Sequence, residues 1–251
     1  MSKHEKTELG LSTLLNPVPV VMVSSAGKNP ESDLERPNIC TIAWAGTVNS
    51  EPPMLSISVR KSRHSHKLIS DTREFVVNLV GKSLAKNCDL CGVKSGADMD
   101  KFDKCGLTAV KAKGLEYAYA IEQAPVSLSC KVISVTEFGS HDMFVAEIVA
   151  ITCDKYLLDE EGKLCLDKAN LVTYSHGEYF LLGDKLGFFG YSVADKEVFE
   201  KRMGYKKTHD KYVRERDSKT NKKEEKKKEK KLNNLVLIAL KQSFVLNYPS
   251  I

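Results

Sequence analysis

The sequence predicts an all-β fold with peripheral helices, arranged as an antiparallel barrel. Several short runs are rich in Val, Ile and aromatic residues and alternate partly with a period of two, which is typical of strands. Few segments carry a helical pattern, and their uneven placement excludes a repeating βαβ unit. A length of 251 residues fits one large all-β domain or two smaller ones.

The predicted elements follow from these patterns and from the Gly, Pro and Asn residues that separate them. Strands are predicted at residues 19–25, 39–45, 54–59, 74–79, 128–136 and 143–153. Helices are predicted at residues 64–72, 83–91 and 195–203. The chain has no internal repeat of fixed period.

Positive charge is concentrated in one segment. Residues 206–231 hold 13 basic and 6 acidic residues, whereas the chain as a whole has a net charge of +5, so the remainder sums to −2. A nucleic-acid-binding domain carries its basic excess on the folded surface, so we expect no nucleic-acid partner. We therefore predict a folded barrel domain at residues 1–205 and a charged, poorly ordered C-terminal extension at 206–251. The less favoured alternatives for its apolar residues 232–246 are a helix or strand that packs on the body and an interfacial helix.

Cysteine usage indicates a reducing compartment. The seven cysteines are an odd number, and no hydrophobic signal region opens the chain, so we expect a cytoplasmic protein without a disulfide framework. The longest apolar run has six residues, too few to cross a bilayer, so no membrane association by a spanning helix is expected. Cys88 and Cys91 have C-x-x-C spacing, but no second pair completes a metal site and no βαβ context surrounds them. We expect no metal, and a redox pair is the less favoured alternative.

A basic turn before the first predicted helix carries the strongest chemical signal. Arg60, Lys61, Ser62 and Arg63 directly precede a helix that we expect Ser62 or Ser65 to open. A helix N-terminus offers unpaired backbone N–H groups and the positive end of its dipole, so this composition predicts a phosphate site. Guanidinium groups form bidentate hydrogen bonds with phosphate, which favours the arginines over the lysine as phosphate ligands. The alternative is a solvated surface turn capped by serine.

Several motifs in order resemble the flavin reductase-like family, whose members have an FMN-binding split barrel and include flavoredoxins. They are PVPVVMVSS, PNICTIAWAGTVNSEPPMLSISVRKSRHSHKLI, EFVVNL, the CG–SG–DKF run from Cys91 to Phe102, and LVTYSHGEYFLLGDKLGFFG. The resemblance covers about residues 11–191. It implies a homodimer of six-stranded Greek-key barrels that holds FMN noncovalently near the subunit interface.

The resemblance also assigns roles to individual residues. It places Thr47, Val48, Asn49 and Ser50 along the isoalloxazine edge of the flavin. It places Arg60, Lys61, Ser62, Arg63 and Ser65 around the phosphate, and Asn78 near the flavin. His141, expected in a loop before a long strand, would lie over the flavin beside the nicotinamide, and His176 near the dimer interface. For Trp44 and Phe75 we favour plain core positions over contact with the flavin.

The function implied by the resemblance is an FMN-dependent oxidoreductase that passes electrons from NADH or NADPH through FMN to an acceptor. The alternative is a flavoredoxin-like electron carrier that serves redox-protein partners without efficient NAD(P)H use. A third hypothesis is a flavin-binding sensor or structural module whose basic extension contacts an acidic partner. The chain contains no G-x-S-x-G, H-E-x-x-H or G-x-x-x-x-G-K-[ST] motif, which agrees with a cofactor performing the chemistry.

Overall fold

A computed structural model describes residues 4–203 of the chain. The chain divides into two compact units, Met1–Gly183 and Asp184–Ile251, and the described part of the second ends at Met203. The predicted extension at 206–251 lies outside the described residues. Among the described residues, no helix is long and apolar enough to span a membrane.

Short strands dominate the first unit, as predicted. The strands are β1 (Val18–Pro19), β2 (Val21–Ser25), β3 (Asn38–Ile42), β4 (Ala45–Ser50), β5 (Pro53–Arg60), β6 (Glu74–Leu79), β7 (Ala109–Lys111), β8 (Tyr119–Ile121), β9 (Val126–Phe138), β10 (His141–Cys153), β11 (Val172–Ser175) and β12 (Glu178–Leu181). The α-helices are α1 (His64–Thr72), α2 (Ala85–Val93), α3 (Lys101–Cys105) and α4 (Lys196–Met203). Single 3₁₀ turns occupy Lys82–Leu84, Lys155–Leu157, Leu166–Ala169 and Tyr191–Val193.

A seven-stranded antiparallel sheet organises the unit, with strand order β3-β2-β6-β9-β10-β5-β4. Two smaller sheets, β1-β11-β12 and β7-β8, accompany it. Neighbours such as β2 and β6 are distant in sequence, so long connections return the chain to the sheet. The predicted all-β fold with peripheral helices is confirmed.

Two predicted boundaries were wrong in an informative way. β9 and β10 form a longer hairpin than expected, and His141 is the first residue of β10 rather than part of a loop. The predicted strand 39–45 includes only the first residue of β4. The rest of β4 was not predicted, because its sequence lacks hydrophobic alternation, and nearly all of the strand is exposed. Its ladder with β5 defines it instead. Local propensity does not detect an edge strand of this kind.

Two apolar cores cover the two faces of β2, whose residues are all buried. Val21 and Val23 join a core that contains Phe75 and Phe144, both with no exposed surface. Met22 joins a second core beneath α2 and α3. The predicted core position of Phe75 is confirmed. Continuous burial explains why this strand alternates only partly in sequence.

Candidate functional site

A pocket of ≈ 670 Å³ opens in the first unit, within the size range of cofactor sites. The ends of β3 and β5, the start of β10, the end of α2, the segment before β1 and the β11–β12 hairpin all contribute to its wall. Of the predicted site residues, the pocket wall includes Arg60, Arg63 and His141.

Strand alternation brings the cationic side of this pocket together. Leu55 and Ile57 of β5 point into the core, whereas Ser58 and Arg60 line the pocket. Arg60 pairs with His141 across the β5–β10 ladder, so the guanidinium and the imidazole belong to neighbouring strand ends. The sheet register therefore fixes two of the predicted functional residues side by side.

The two arginines have free guanidinium groups. Within residues 4–203, neither Arg60 nor Arg63 donates a side-chain hydrogen bond or forms an ion pair. Lys61 differs, because its Nζ lies 2.5 Å from Glu137 Oε2 and 3.5 Å from Asp142 Oδ1. The hydrogen bond to Glu137 raises the pKa of Lys61, which keeps it cationic and neutralised by these carboxylates. The arginines, but not the lysine, are available to a bound anion.

A second cavity of ≈ 90 Å³ adjoins the pocket at the start of α1 and shares Cys40 and Arg63 with it. The hydroxyl-bearing and cationic residues in its wall are Ser62, Arg63, Ser65, Lys94, Ser95 and Lys101. Arg63 is the N-cap of α1 and makes no capping side-chain hydrogen bond, so the expected serine cap was wrong. Ser65 Oγ instead accepts a hydrogen bond from Asn38 Nδ2 at 2.7 Å.

Buried polar groups surround this small cavity. Asn38 Oδ1 and His64 Nε2 are buried and have no hydrogen-bond partner among the described residues. Lys101 is 3% exposed, and its Nζ donates to the carbonyls of Ile39 and Cys91 at 2.7 and 2.8 Å. Burial lowers the pKa of both His64 and Lys101. The uncapped helix terminus and the nearby cations make this cavity suitable for an anion.

His141 and Trp44 form one aromatic wall of the pocket. Their ring centroids lie 4.6 Å apart at an interplanar angle of 44°. Burial, and then the charge of Arg60, lower the pKa of His141, while its Nδ1 lies 2.9 Å from Ser140 Oγ. Trp44 is 45% exposed, so the predicted core position was wrong. It lies where the chain leaves β3 for β4, beyond the last alternating position.

A hydrogen bond between α1 and β10 supports the start of β10. Asp142 is 5% exposed, and its Oδ2 accepts a hydrogen bond from His66 Nε2 at 2.7 Å. Burial opposes ionisation of this carboxyl, but the bond from His66 and the charge of Lys61 outweigh it and hold the pKa of Asp142 below its usual value. His66 lies on α1, so the contact ties this helix to the strand that carries His141.

The pocket wall formed by the β11–β12 hairpin was not predicted from the sequence. Tyr179 Oη donates to Asp89 Oδ1 at 3.1 Å, and the rings of Tyr174 and Tyr179 meet edge to face at 5.4 Å. His176, predicted near a dimer interface, also lines this pocket. The motif YSHGEYF contains the tyrosines and the histidine, but only the β11–β12 hairpin shows that they face the arginines' pocket.

Several predicted residues are not brought to the pocket. Thr47, Val48, Asn49 and Ser50 lie exposed on the edge strand β4, and Asn49 Nδ2 donates to the Pro52 carbonyl at 3.0 Å. Asn78 is fully buried away from the pocket lining, and its side chain makes only internal hydrogen bonds. Their assignment to the flavin therefore stays a prediction without geometric support.

Comparison with known proteins gives a consistent picture. The family model described as "Flavin reductase like domain" matches residues 13–182. An uncharacterized protein of Archaeoglobus fulgidus is 34% identical over 149 residues, which are 59% of this chain and 82% of that protein. The FMN reductase (NADH) RutF of Pantoea ananatis is 29% identical over 108 residues, 43% of this chain and 54% of that protein. The flavoredoxin of Desulfovibrio vulgaris (Miyazaki F) superposes with a TM-score of 0.68 at 28% identity, over 76% of this chain and 100% of that one.

Proposed function

Because the chain belongs to the flavin reductase like family, we propose that it is an FMN-binding oxidoreductase that passes electrons from NADH or NADPH to an acceptor. The observation that carries this proposal is the pair of free guanidinium groups, Arg60 and Arg63, beside a pocket of ≈ 670 Å³. The pocket has room for a flavin, and the arginines supply the charge that a terminal phosphate requires.

The residues that would hold FMN follow from this geometry. Arg60 and Arg63 would bind the phosphate, with Ser62 and Ser65 in the adjoining cavity at the start of α1. Such charge-assisted hydrogen bonds contribute about 1.5–3 kcal/mol each. Lys61 takes no part, because Glu137 and Asp142 hold its ammonium.

The aromatic wall would serve the second substrate. Bound FMN supplies hydride acceptance and onward electron transfer. Trp44 and His141 offer flat surfaces that would orient a nicotinamide ring and exclude water from it. The lowered pKa of His141 keeps its imidazole neutral near pH 7, so this residue would add no positive charge beside the cationic nicotinamide of an oxidised product.

Replacing both arginines tests the phosphate assignment. The double variant Arg60→Ala/Arg63→Ala should weaken FMN binding by at least about tenfold to hundredfold, while riboflavin binding changes little, because riboflavin lacks the phosphate. Flavin titrations of the flavin-free protein measure both constants. Lys61→Ala is the matched control, since it removes a cation from the same turn that is already paired. Equal losses for FMN and riboflavin would refute the assignment.

A homodimer is part of the proposal. The β9–β10 hairpin exposes large apolar side chains at Ile133, Val135, Phe138, Val149 and Ile151. Exposed apolar surface of this kind is typical of protein interfaces. Sedimentation at micromolar concentration should give a dimer mass, and a monomer that retains FMN would contradict it. A cytoplasmic location stays a prediction.

The electron-carrier alternative is favoured by one observation, the similarity to a flavoredoxin along the whole of that protein. The two functions differ in the electron donor. Stopped-flow mixing with NADH or NADPH, and separately with a reduced ferredoxin, distinguishes them. Rapid bleaching of the flavin by a nicotinamide nucleotide supports the reductase, whereas bleaching by ferredoxin alone supports the carrier.

A further inference from the structure

Two free thiols meet next to the small cavity at the start of α1. Cys91 on α2 and Cys105 at the end of α3 place their Sγ atoms 3.8 Å apart. Asn87 Nδ2 donates to the Cys105 carbonyl at 3.2 Å, and Lys101 Nζ donates to the Cys91 carbonyl at 2.8 Å. A disulfide bond is about 2.05 Å long, so a shift of roughly 2 Å between packed helices would join the sulfurs.

The two thiols differ in accessibility. Cys105 is partly exposed, and the following residue, Gly106, is exposed with open space where a side chain would begin. Cys91 is 1% exposed, and burial, with a smaller contribution from Cys105, raises its pKa. A small polar oxidant can therefore reach Cys105 first, while Cys91 stays buried as a protonated thiol.

We propose that Cys91 and Cys105 form a redox-active dithiol that hydrogen peroxide oxidises to a disulfide. The sequence spacing pointed to a different pair, Cys88 and Cys91. The structure favours Cys105 as the partner. Within residues 4–203, the thiols of Cys91 and Cys105 are the pair that lies within hydrogen-bonding distance.

The proposed chemistry is balanced by one molecule of peroxide. The Cys105 thiolate attacks one peroxide oxygen, the O–O bond breaks, and a sulfenic acid forms as hydroxide leaves and takes up the proton lost by the thiol. The Cys91 sulfur then attacks the sulfenic sulfur, the S–O bond breaks, and the departing hydroxide takes the Cys91 proton. Two thiols and one peroxide give one disulfide and two waters.

The location links this dithiol to the pocket walls. Gly92 and Val93, which follow Cys91, line the ≈ 670 Å³ pocket, and Cys91 itself lines the ≈ 90 Å³ cavity. A disulfide here would fasten the end of α2 to α3 and so restrain the loop that carries Lys94 and Ser95. The inference does not depend on flavin binding, since it rests on the thiol geometry alone.

Thiol counting after oxidation tests the proposal. Full-length protein is treated with stoichiometric hydrogen peroxide, quenched with catalase, denatured and alkylated. Two of the seven thiols should become unreactive, peptides containing Cys91 and Cys105 should be linked, and dithiothreitol should restore both thiols. Retention of all seven thiols, or linkage of any other pair, would overturn the proposal.

Three variants make the test specific. Cys105→Ser should lose no thiols under the same treatment, because the residue attacked first is absent. Cys153→Ser removes a different partly exposed thiol, and this variant should still lose two thiols on oxidation. Cys91→Ala should leave Cys105 as a sulfenic acid that dimedone traps. Equal thiol loss in Cys105→Ser and the unmodified protein, or no dimedone adduct in a folded Cys91→Ala variant, would also refute it.

Discussion

Two polar clusters in the first unit use their hydrogen-bonding groups in opposite ways. The buried cluster consists of Ser24, Asn78 and Ser127, and the pocket cluster consists of Arg60, Arg63 and His141. Asn78 Nδ2 donates to Ser24 Oγ at 2.9 Å and to the Met22 carbonyl at 2.9 Å. Its Oδ1 accepts from Ser127 Oγ at 2.9 Å and from the Ile121 N–H at 3.0 Å.

The pocket cluster has few protein partners by contrast, and both of its arginines are exposed. Neither guanidinium has a partner within residues 4–203, and the imidazole pairs only with the exposed hydroxyl of Ser140. A buried polar group without partners costs free energy, so a cluster with every bond made stabilises the fold. A cluster left open at a pocket wall keeps its bonding capacity for a ligand. The difference predicts which polar residues stabilise the fold and which bind a ligand.

The largest expected effect comes from breaking the buried cluster. Asn78→Ala should lower the free energy of unfolding by about 3 kcal/mol or more, because it leaves the Ile121 N–H and several acceptors buried without partners. Urea unfolding of the flavin-free protein measures this loss. Ser127→Ala removes a single bond of the same cluster and should cost about 1 kcal/mol. If Asn78→Ala loses more free energy of FMN binding than free energy of unfolding, Asn78 would instead belong to the binding site.

The fold was largely predictable because burial leaves a local trace. Residues 74–79 and 64–72 were predicted with the observed bounds, since Phe75 and Ile69 mark buried faces. The edge strand β4 left almost no such trace, because it is stabilised by its ladder with β5 rather than by apolar burial. Hydrogen-bonded pairing with a neighbouring strand leaves no trace in local hydrophobicity.

The site was predictable only in part for a related reason. Arg60 and Arg63 were predicted from local composition, and the structure places both at the pocket. The wall formed by the β11–β12 hairpin could not be predicted locally. It depends on the contact between Tyr179 and Asp89, which are 90 residues apart in sequence. Asn78 illustrates the reverse case, because its motif suggested a ligand contact and its internal hydrogen bonds argue for a structural role.

The fluorescence of Trp44 can report ligand binding near the pocket cluster. It is the single tryptophan of the chain and stands beside His141. FMN added to the flavin-free protein should therefore quench most of the tryptophan emission, because a flavin in the pocket would lie close enough to accept its energy. Trp44→Phe should keep FMN affinity within about threefold, since an aromatic face is retained. Binding seen by flavin absorbance with unchanged tryptophan emission would place the flavin elsewhere.

The pH dependence sharpens the role of His141. Burial and Arg60 lower its pKa below the ordinary value of 6.5, so the folded state resists protonation and loses stability as pH falls below that value. Flavin reduction by NADH should be constant between about pH 7 and 8 and should decline only below about pH 6.5. His141→Gln should remove this acid decline while lowering the rate. An unchanged profile in the variant would assign the decline to another group.

The smallest expected effect is the counterpart of the first prediction. Because Arg60 and Arg63 make no hydrogen bonds or ion pairs within residues 4–203, Arg60→Ala/Arg63→Ala should change the unfolding free energy of flavin-free protein by less than about 0.5 kcal/mol. With FMN at about a hundred times its dissociation constant, the unmodified protein should gain about 2.7 kcal/mol of stability. The double variant should gain far less, since its affinity is reduced. A flavin-free variant destabilised by about 2 kcal/mol would show that the arginine stems pack as part of the fold, and the distinction between the two clusters would fail.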